Sequence, residues 1–127
     1  MCKRRKHIFD SYRGYFNQFS WAALPPESNA YATTSAHLFM LRVRSITEHQ
    51  RDEIIEAIAS TGLSVNVHFI PLPMLSLFNG RGYLMDDFPV AYDNYSREIS
   101  LPIYPQLTDT EVDYLCKTVA QVIGDRV

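Results

Sequence analysis

The sequence predicts a small α/β domain, and three observations carry that assignment. Alternating stretches at 37–44 and 64–70 flank an amphipathic stretch that has its own capping signals. A third alternating stretch follows at 98–103. The chain then closes on a long apolar stripe at helical spacing. A length of 127 residues suits one domain with a single core. With 46% hydrophobic and 20% charged residues, the composition is that of a globular protein and excludes a disordered chain. The formal charge of -2 gives no general attraction to nucleic acid or to an anionic membrane.

The elements follow in order. Lys3, Arg4, Arg5, Lys6 and His7 form a basic cluster, and Ile8, Tyr12, Tyr15, Phe16 and Phe19 then recur at helical spacing. The cluster therefore reads as the exposed first turn of an amphipathic helix. Positive charge there opposes the helix dipole, which suggests that the helix begins further upstream in a longer parent. Trp21 to Ser35 contains Pro25-Pro26 and no periodicity, and reads as a loop. From His37 to Arg44, Phe39, Leu41 and Val43 share one face of a strand. Thr47 and Gln50 fit a capping box, Ile54, Ile55 and Ile58 form a buried stripe, and Gly62 sits where a left-handed turn ends the helix. A strand at 64–70 completes a β-α-β unit. Met74 to Phe78 is a short helical turn, and Phe88-Pro89 opens a helix running to about Arg97. Ile99, Leu101 and Ile103 give the third strand its apolar face. Thr108 and Glu111 form a second capping box before the stripe Val112, Leu115, Cys116, Val119, Val122 and Ile123.

The stretch Val65 to Pro73 carries the chemistry of most interest. Val65, Val67 and Phe69 alternate with Asn66, His68 and Ile70, so Asn66 and His68 share a face, and Pro71 ends the ladder. A histidine at such a strand end can meet a ligand, or it can be a half-buried residue bonded to a backbone carbonyl. Elsewhere the signals for chemistry are poor. Cys2 and Cys116 make no disulfide framework, and Cys116 falls within the apolar stripe as a core residue rather than a nucleophile. No histidine or cysteine spacing fits a metal, and Asn79-Gly80-Arg81-Gly82 is too short to cradle a phosphate. No apolar run spans a membrane and no signal peptide is present, which implies a cytoplasmic protein.

Several of these pieces occur together in a recognisable order. They are Arg5-x-x-Ile8-x-x-x-Tyr12, His37-Leu38-Phe39 with Arg42, Gly62-Leu63, His68-Phe69-Ile70-Pro71-Leu72, Phe88-Pro89-Val90-Ala91, Ser100 to Pro105, and Leu107-Thr108-Asp109-x-Glu111-Val112. Together they resemble the C-terminal small domain of the DegT/DnrJ/EryC1/StrS aminotransferases, pyridoxal-phosphate enzymes that aminate keto groups of nucleotide-linked sugars. The resemblance implies an α/β (α+β) fold with a three-stranded, mostly antiparallel or mixed sheet covered by helices. Residues 1–127 would be that single domain, without the N-terminal large domain that binds the cofactor.

By this resemblance His68 and Asn66 bind substrate, and no residue of the chain is catalytic, binds cofactor or ligates a metal. Pyridoxal phosphate belongs to the full-length parent. The lysines present, Lys3, Lys6 and Lys117, do not match the family's Schiff-base lysine, so this chain alone is expected to be inactive. The family commonly writes a second histidine where this sequence has Pro73. The implied partners are a nucleotide-linked keto sugar, an amino donor and a second copy in a homodimer. The alternative reading is a free-standing regulatory or binding module that uses the basic N-terminal turn to hold nucleic acid or an acidic partner.

Overall fold

The computed structural model describes residues 2–127, with side chains from Lys3 onward. The side chain of Cys2 therefore lies outside the described residues. Helix α1 spans Cys2–Phe16, and strands β1 (Ala22–Ala23) and β2 (Phe39–Val43) follow it. Helix α2 spans Glu48–Ala59, a short helix α3 spans Ser76–Asn79, and α4 spans Pro89–Ser96. Strand β3 (Glu98–Leu101) leads to the long helix α5 (Asp109–Gly124).

The three strands form one antiparallel sheet in the order β1-β2-β3. Its composition differs from the sequence expectation at two places. Ala22–Ala23, within the stretch expected as loop, pairs with Val43 and Arg42 as the edge strand. The expected strand at 64–70 contributes only a single antiparallel bridge, between Asn66 and Ser100. Since β3 is antiparallel to both β2 and this bridge, the Asn66 segment runs parallel to β2 with β3 between them. The β-α-β connection is thus present in direction, with its second strand reduced to one pair.

Pleating divides the sheet chemically. Phe39, Leu41 and Val43 of β2, with Ile99 and Leu101 of β3, face the helices and are buried. Helix α1 covers this face with Ile8, Phe9, Tyr12 and Phe16, and α5 with Leu115, Cys116, Val119 and Ile123. Phe9 and Tyr12 both meet the Phe39 ring edge-on at 5.1 Å, a geometry favoured by the aromatic quadrupole. Both capping boxes form, Thr47 with Gln50 and Thr108 with Glu111, and Gly62 adopts a φ of 88° at the turn after α2. Cys116 is a core residue, and its burial pushes the thiol up to about 12, far from nucleophilic chemistry at neutral pH.

The Tyr12 ring is fully buried, and its hydroxyl donates to the Pro102 carbonyl at 2.6 Å, tying α1 to the end of β3. Tyr12→Phe keeps the packing and leaves that carbonyl without its donor. We expect a loss of about 1–3 kcal/mol in urea unfolding, and an unchanged midpoint would show that water replaces the hydroxyl at no cost.

Candidate functional site

The other face of the sheet carries Met40 and Arg42 from β2 and, directly across from them, Ser100 and Glu98 from β3. No described helix covers this face as α1 and α5 cover the first, yet Ser100 and Glu98 are each only 4% exposed. Helix α4 reaches the same face where Asn94 accepts from Arg42, and the segment after α2 crosses beside β3 at Asn66 and then leaves the sheet.

Main-chain hydrogen bonds show where it leaves. Asn66 and Ser100 exchange both of their backbone bonds, at 3.2 and 2.7 Å. Strand periodicity would set His68 opposite Glu98 as the next such pair, with the His68 N–H on the Glu98 carbonyl. Instead, the His68 N–H donates to the Glu98 side chain, to Oε2 at 3.0 Å. The Glu98 carbonyl accepts from Arg51 Nη1 at 3.3 Å. The second carboxylate oxygen, Oε1, accepts from the Ser100 hydroxyl. Burial holds the Glu98 carboxyl above its ordinary value of 4.5, opposed by the donors from Ser100 and His68.

Arg51 anchors this arrangement from α2. It is 2% exposed, it also donates to the Tyr95 carbonyl at 2.7 Å, and its guanidinium lies 4.9 Å from the centre of the Tyr95 ring. Asp52 at 2.6 Å and Glu48 at 3.6 Å balance its charge, so a buried cation is paired and hydrogen-bonded as burial demands.

Two clefts adjoin the departing segment, and His68 borders both. One, of about 490 Å³, is walled by Met40, Arg42, Phe69, Asn94 and Glu98 in addition to His68. Arg42 there donates to the side-chain oxygen of Asn94, and the Asn94 amide nitrogen donates to the Val90 carbonyl. The other, of about 650 Å³, lies between Asn66, Ser100, Tyr104 and Tyr114.

The structure places the two residues expected from sequence differently. His68 is half-buried, and among the described residues its Nδ1 is buried without a hydrogen-bond partner. The reading of a histidine satisfied by a backbone carbonyl is therefore not what the fold shows for that nitrogen. Asn66 is exposed, its side-chain oxygen accepting from the Val67 N–H at 2.8 Å, and it reaches only the larger cleft. Arg42, Glu98, Ser100 and Arg51 escaped the sequence reading as site residues. The available signal was that Arg42, Glu98 and Ser100 occupy the face opposite the apolar one on two neighbouring strands.

The basic N-terminal cluster is mostly engaged within the chain. Arg4 pairs with Asp109 at 2.6 Å and donates to the Leu107 carbonyl, and Lys6 pairs with Asp10 at 3.0 Å. His7 lies 3.3 Å from the same Asp109. The lysines also fail the fit for a pyridoxal Schiff base. Lys3, Lys6 and Lys117 are exposed, none lines either cleft, and Lys117 is held protonated by Asp113 at 2.6 Å. Such a lysine would have to be deprotonated to attack a carbonyl. No step through that cofactor follows from the residues of this chain. Among the described residues, no helix is long and apolar enough to cross a membrane.

The fold, a small antiparallel sheet covered on one face by long helices, is shared with solved structures. The model of the DegT/DnrJ/EryC1/StrS aminotransferase family matches residues 1–120, and the chain belongs to that family. It is 32% identical to an uncharacterized protein, MJ1066, of Methanocaldococcus jannaschii, over 98% of this chain and 33% of that protein. It is 31% identical to the spore coat polysaccharide biosynthesis protein SpsC of Bacillus subtilis, over 97% of this chain and 32% of that protein. Among solved structures, the PLP-form of the putative sugar aminotransferase Spr1654 from Streptococcus pneumoniae superposes with a TM-score of 0.94 at 33% identity. That match covers all of this chain and 32% of the other. The chain thus spans about a third of the length of these relatives.

Glu98 makes the stability of the domain depend on pH in a direction opposite to that of a salt-bridged carboxylate. Because its value is raised in the folded state, the native protein holds this proton more tightly than the unfolded chain does. The contribution is complete below the ordinary value of 4.5 and is lost as pH rises through the raised one. Compared with Glu98→Gln in chemical denaturation, the wild type should be relatively more stable near about pH 4 than near about pH 8. A difference that grew with pH would show the carboxylate to be net stabilised by its donors.

Proposed function

We propose that this chain is the C-terminal small domain of a pyridoxal-phosphate-dependent nucleotide-sugar aminotransferase, which aminates a keto sugar for a polysaccharide, lipopolysaccharide or antibiotic. The observation that carries the reading is the alignment of the whole chain, at 33% identity, with one third of a putative sugar aminotransferase. Relatives named for spore coat polysaccharide biosynthesis and for GDP-perosamine synthesis support the sugar class.

In this reading the helix-covered face is scaffold and the polar face is functional. The cofactor and the lysine that binds it reside in the other two thirds of the parent, and this domain supplies a wall of the substrate site. His68 presents a hydrogen-bonding imidazole to the sugar nucleotide, and Asn66 lies beside it in the larger cleft. Exposure along the segment that follows supports a covered position in the parent. Phe69, Ile70, Leu72, Leu77, Leu84 and Val90 are each more than half exposed, more apolar surface in one stretch than a free domain normally leaves in water. The active sites are completed in a homodimer.

Two experiments test the proposal. In the parent polypeptide, His68→Ala should lower kcat/KM for the keto sugar by about tenfold, the worth of one hydrogen bond, with cofactor absorbance unchanged. Equal turnover in both proteins would remove His68 from the substrate site. For this chain alone, incubation with pyridoxal phosphate and borohydride should leave no single lysine labelled stoichiometrically in peptide mass spectrometry. Stoichiometric labelling of Lys117 would overturn the assignment of the cofactor site to the rest of the parent.

A further inference from the structure

Glu98 breaks a pattern that the sheet otherwise keeps. Ser100 uses its main chain to hold Asn66, and two residues along, Glu98 uses its side chain to hold His68. The consequence is geometric. A carboxylate oxygen lies several bonds beyond the carbonyl it replaces, so the amide it receives is displaced from the ladder, and the chain departs from the sheet at that residue. The Glu98 carbonyl that the departure frees is taken up by Arg51. Ser100 fixes the other carboxylate oxygen and so the rotation of the group.

We propose that Glu98 is a positioning residue for His68, its carboxylate standing in for its own main chain so that the imidazole is set at the junction of the two clefts. This rests on the reading of His68 as a substrate-facing residue. Its neighbours suit the task. Arg51 from α2, Arg42 directly opposite on β2, Tyr95 from α4 and His68 itself are the titratable groups packed around the carboxylate. Arg51 Nη1 is spent on carbonyls rather than on the carboxylate oxygens, and Arg42 donates to Asn94. The carboxylate is thereby left to the His68 amide and the Ser100 hydroxyl. The His68 ring in turn rests edge-on against Phe69, with centroids 4.7 Å apart.

Nuclear magnetic resonance on the isotope-labelled chain tests this directly. In the wild type the His68 amide proton should shift in a step as Glu98 ionises, and that step should vanish in Glu98→Gln. The glutamine keeps an acceptor oxygen, so the His68 ring protons should retain their displacement by the Phe69 ring current in that variant. In Glu98→Ala the displacement should collapse and His68 amide exchange should accelerate by about tenfold, the loss of one hydrogen bond. Should Glu98→Ala fail to fold, Ser100→Ala decides the matter, because loss of one donor must move the wild-type step to higher pH. A step that survives Glu98→Gln belongs to the imidazole itself and overturns the proposal, as do ring protons indifferent to all three changes. Normal keto-sugar turnover by His68→Ala would instead remove the substrate reading and leave this hydrogen bond intact, so the two failures are distinguishable.

Discussion

Among the described residues the long helices α1 and α5 cover one face of the central sheet, and the burial of polar groups on the other face follows from that asymmetry. Phe39, Leu41, Val43, Ile99 and Leu101 are committed to the core beneath α1 and α5. Pleating then forces Met40, Arg42, Glu98 and Ser100 to the opposite face. In a free-standing domain such a face is simply wet. Here Glu98 and Ser100 are buried on it, which requires further cover, and the segment around His68 supplies part of it beside α4. Burying a carboxylate is unfavourable unless donors meet it. The Ser100 hydroxyl and the His68 amide are those donors, so the chemistry of the polar face and the path of the departing chain are one problem with one solution.

The helices and the two central strands were legible in the sequence because their signals are local. Capping boxes at Thr47 and Thr108 involve residues three apart, and the α5 stripe repeats within a few turns. The edge strand was not legible, since Ala22–Ala23 is two residues of low strand propensity that are held by pairing with β2 rather than by their own preference. At 64–70 the error has the opposite cause. The alternation of Val65, Val67 and Phe69 is that of a strand, but the Glu98 side chain takes the amide that the next ladder bond would have used. Phe69 then stands 75% exposed, outside this core.

Of the site, His68 was visible as a histidine before a proline-stopped turn, while its supports were not. Glu98 looks in sequence like an ordinary solvated acid at the start of a strand, and Arg51 like a surface residue in the first turns of a helix. What buries them is their meeting across residues far apart in sequence, Arg51 with the carbonyls of Tyr95 and Glu98. The resemblance to sugar aminotransferases supplied the family but not these partners, which meet only through the fold.

The polar face and the apolar segment after it are proposed to meet the rest of a larger enzyme. Hydrogen–deuterium exchange of the chain alone, compared with the same residues in the parent polypeptide, tests it most directly. Joining should slow exchange through Asn66 to Leu72 and along α4, while the solvent side of α5 is unaffected. Slowing confined to the basic start of α1, with Asn66 to Leu72 unchanged, would contradict it and show that the domain meets its partner through a different surface.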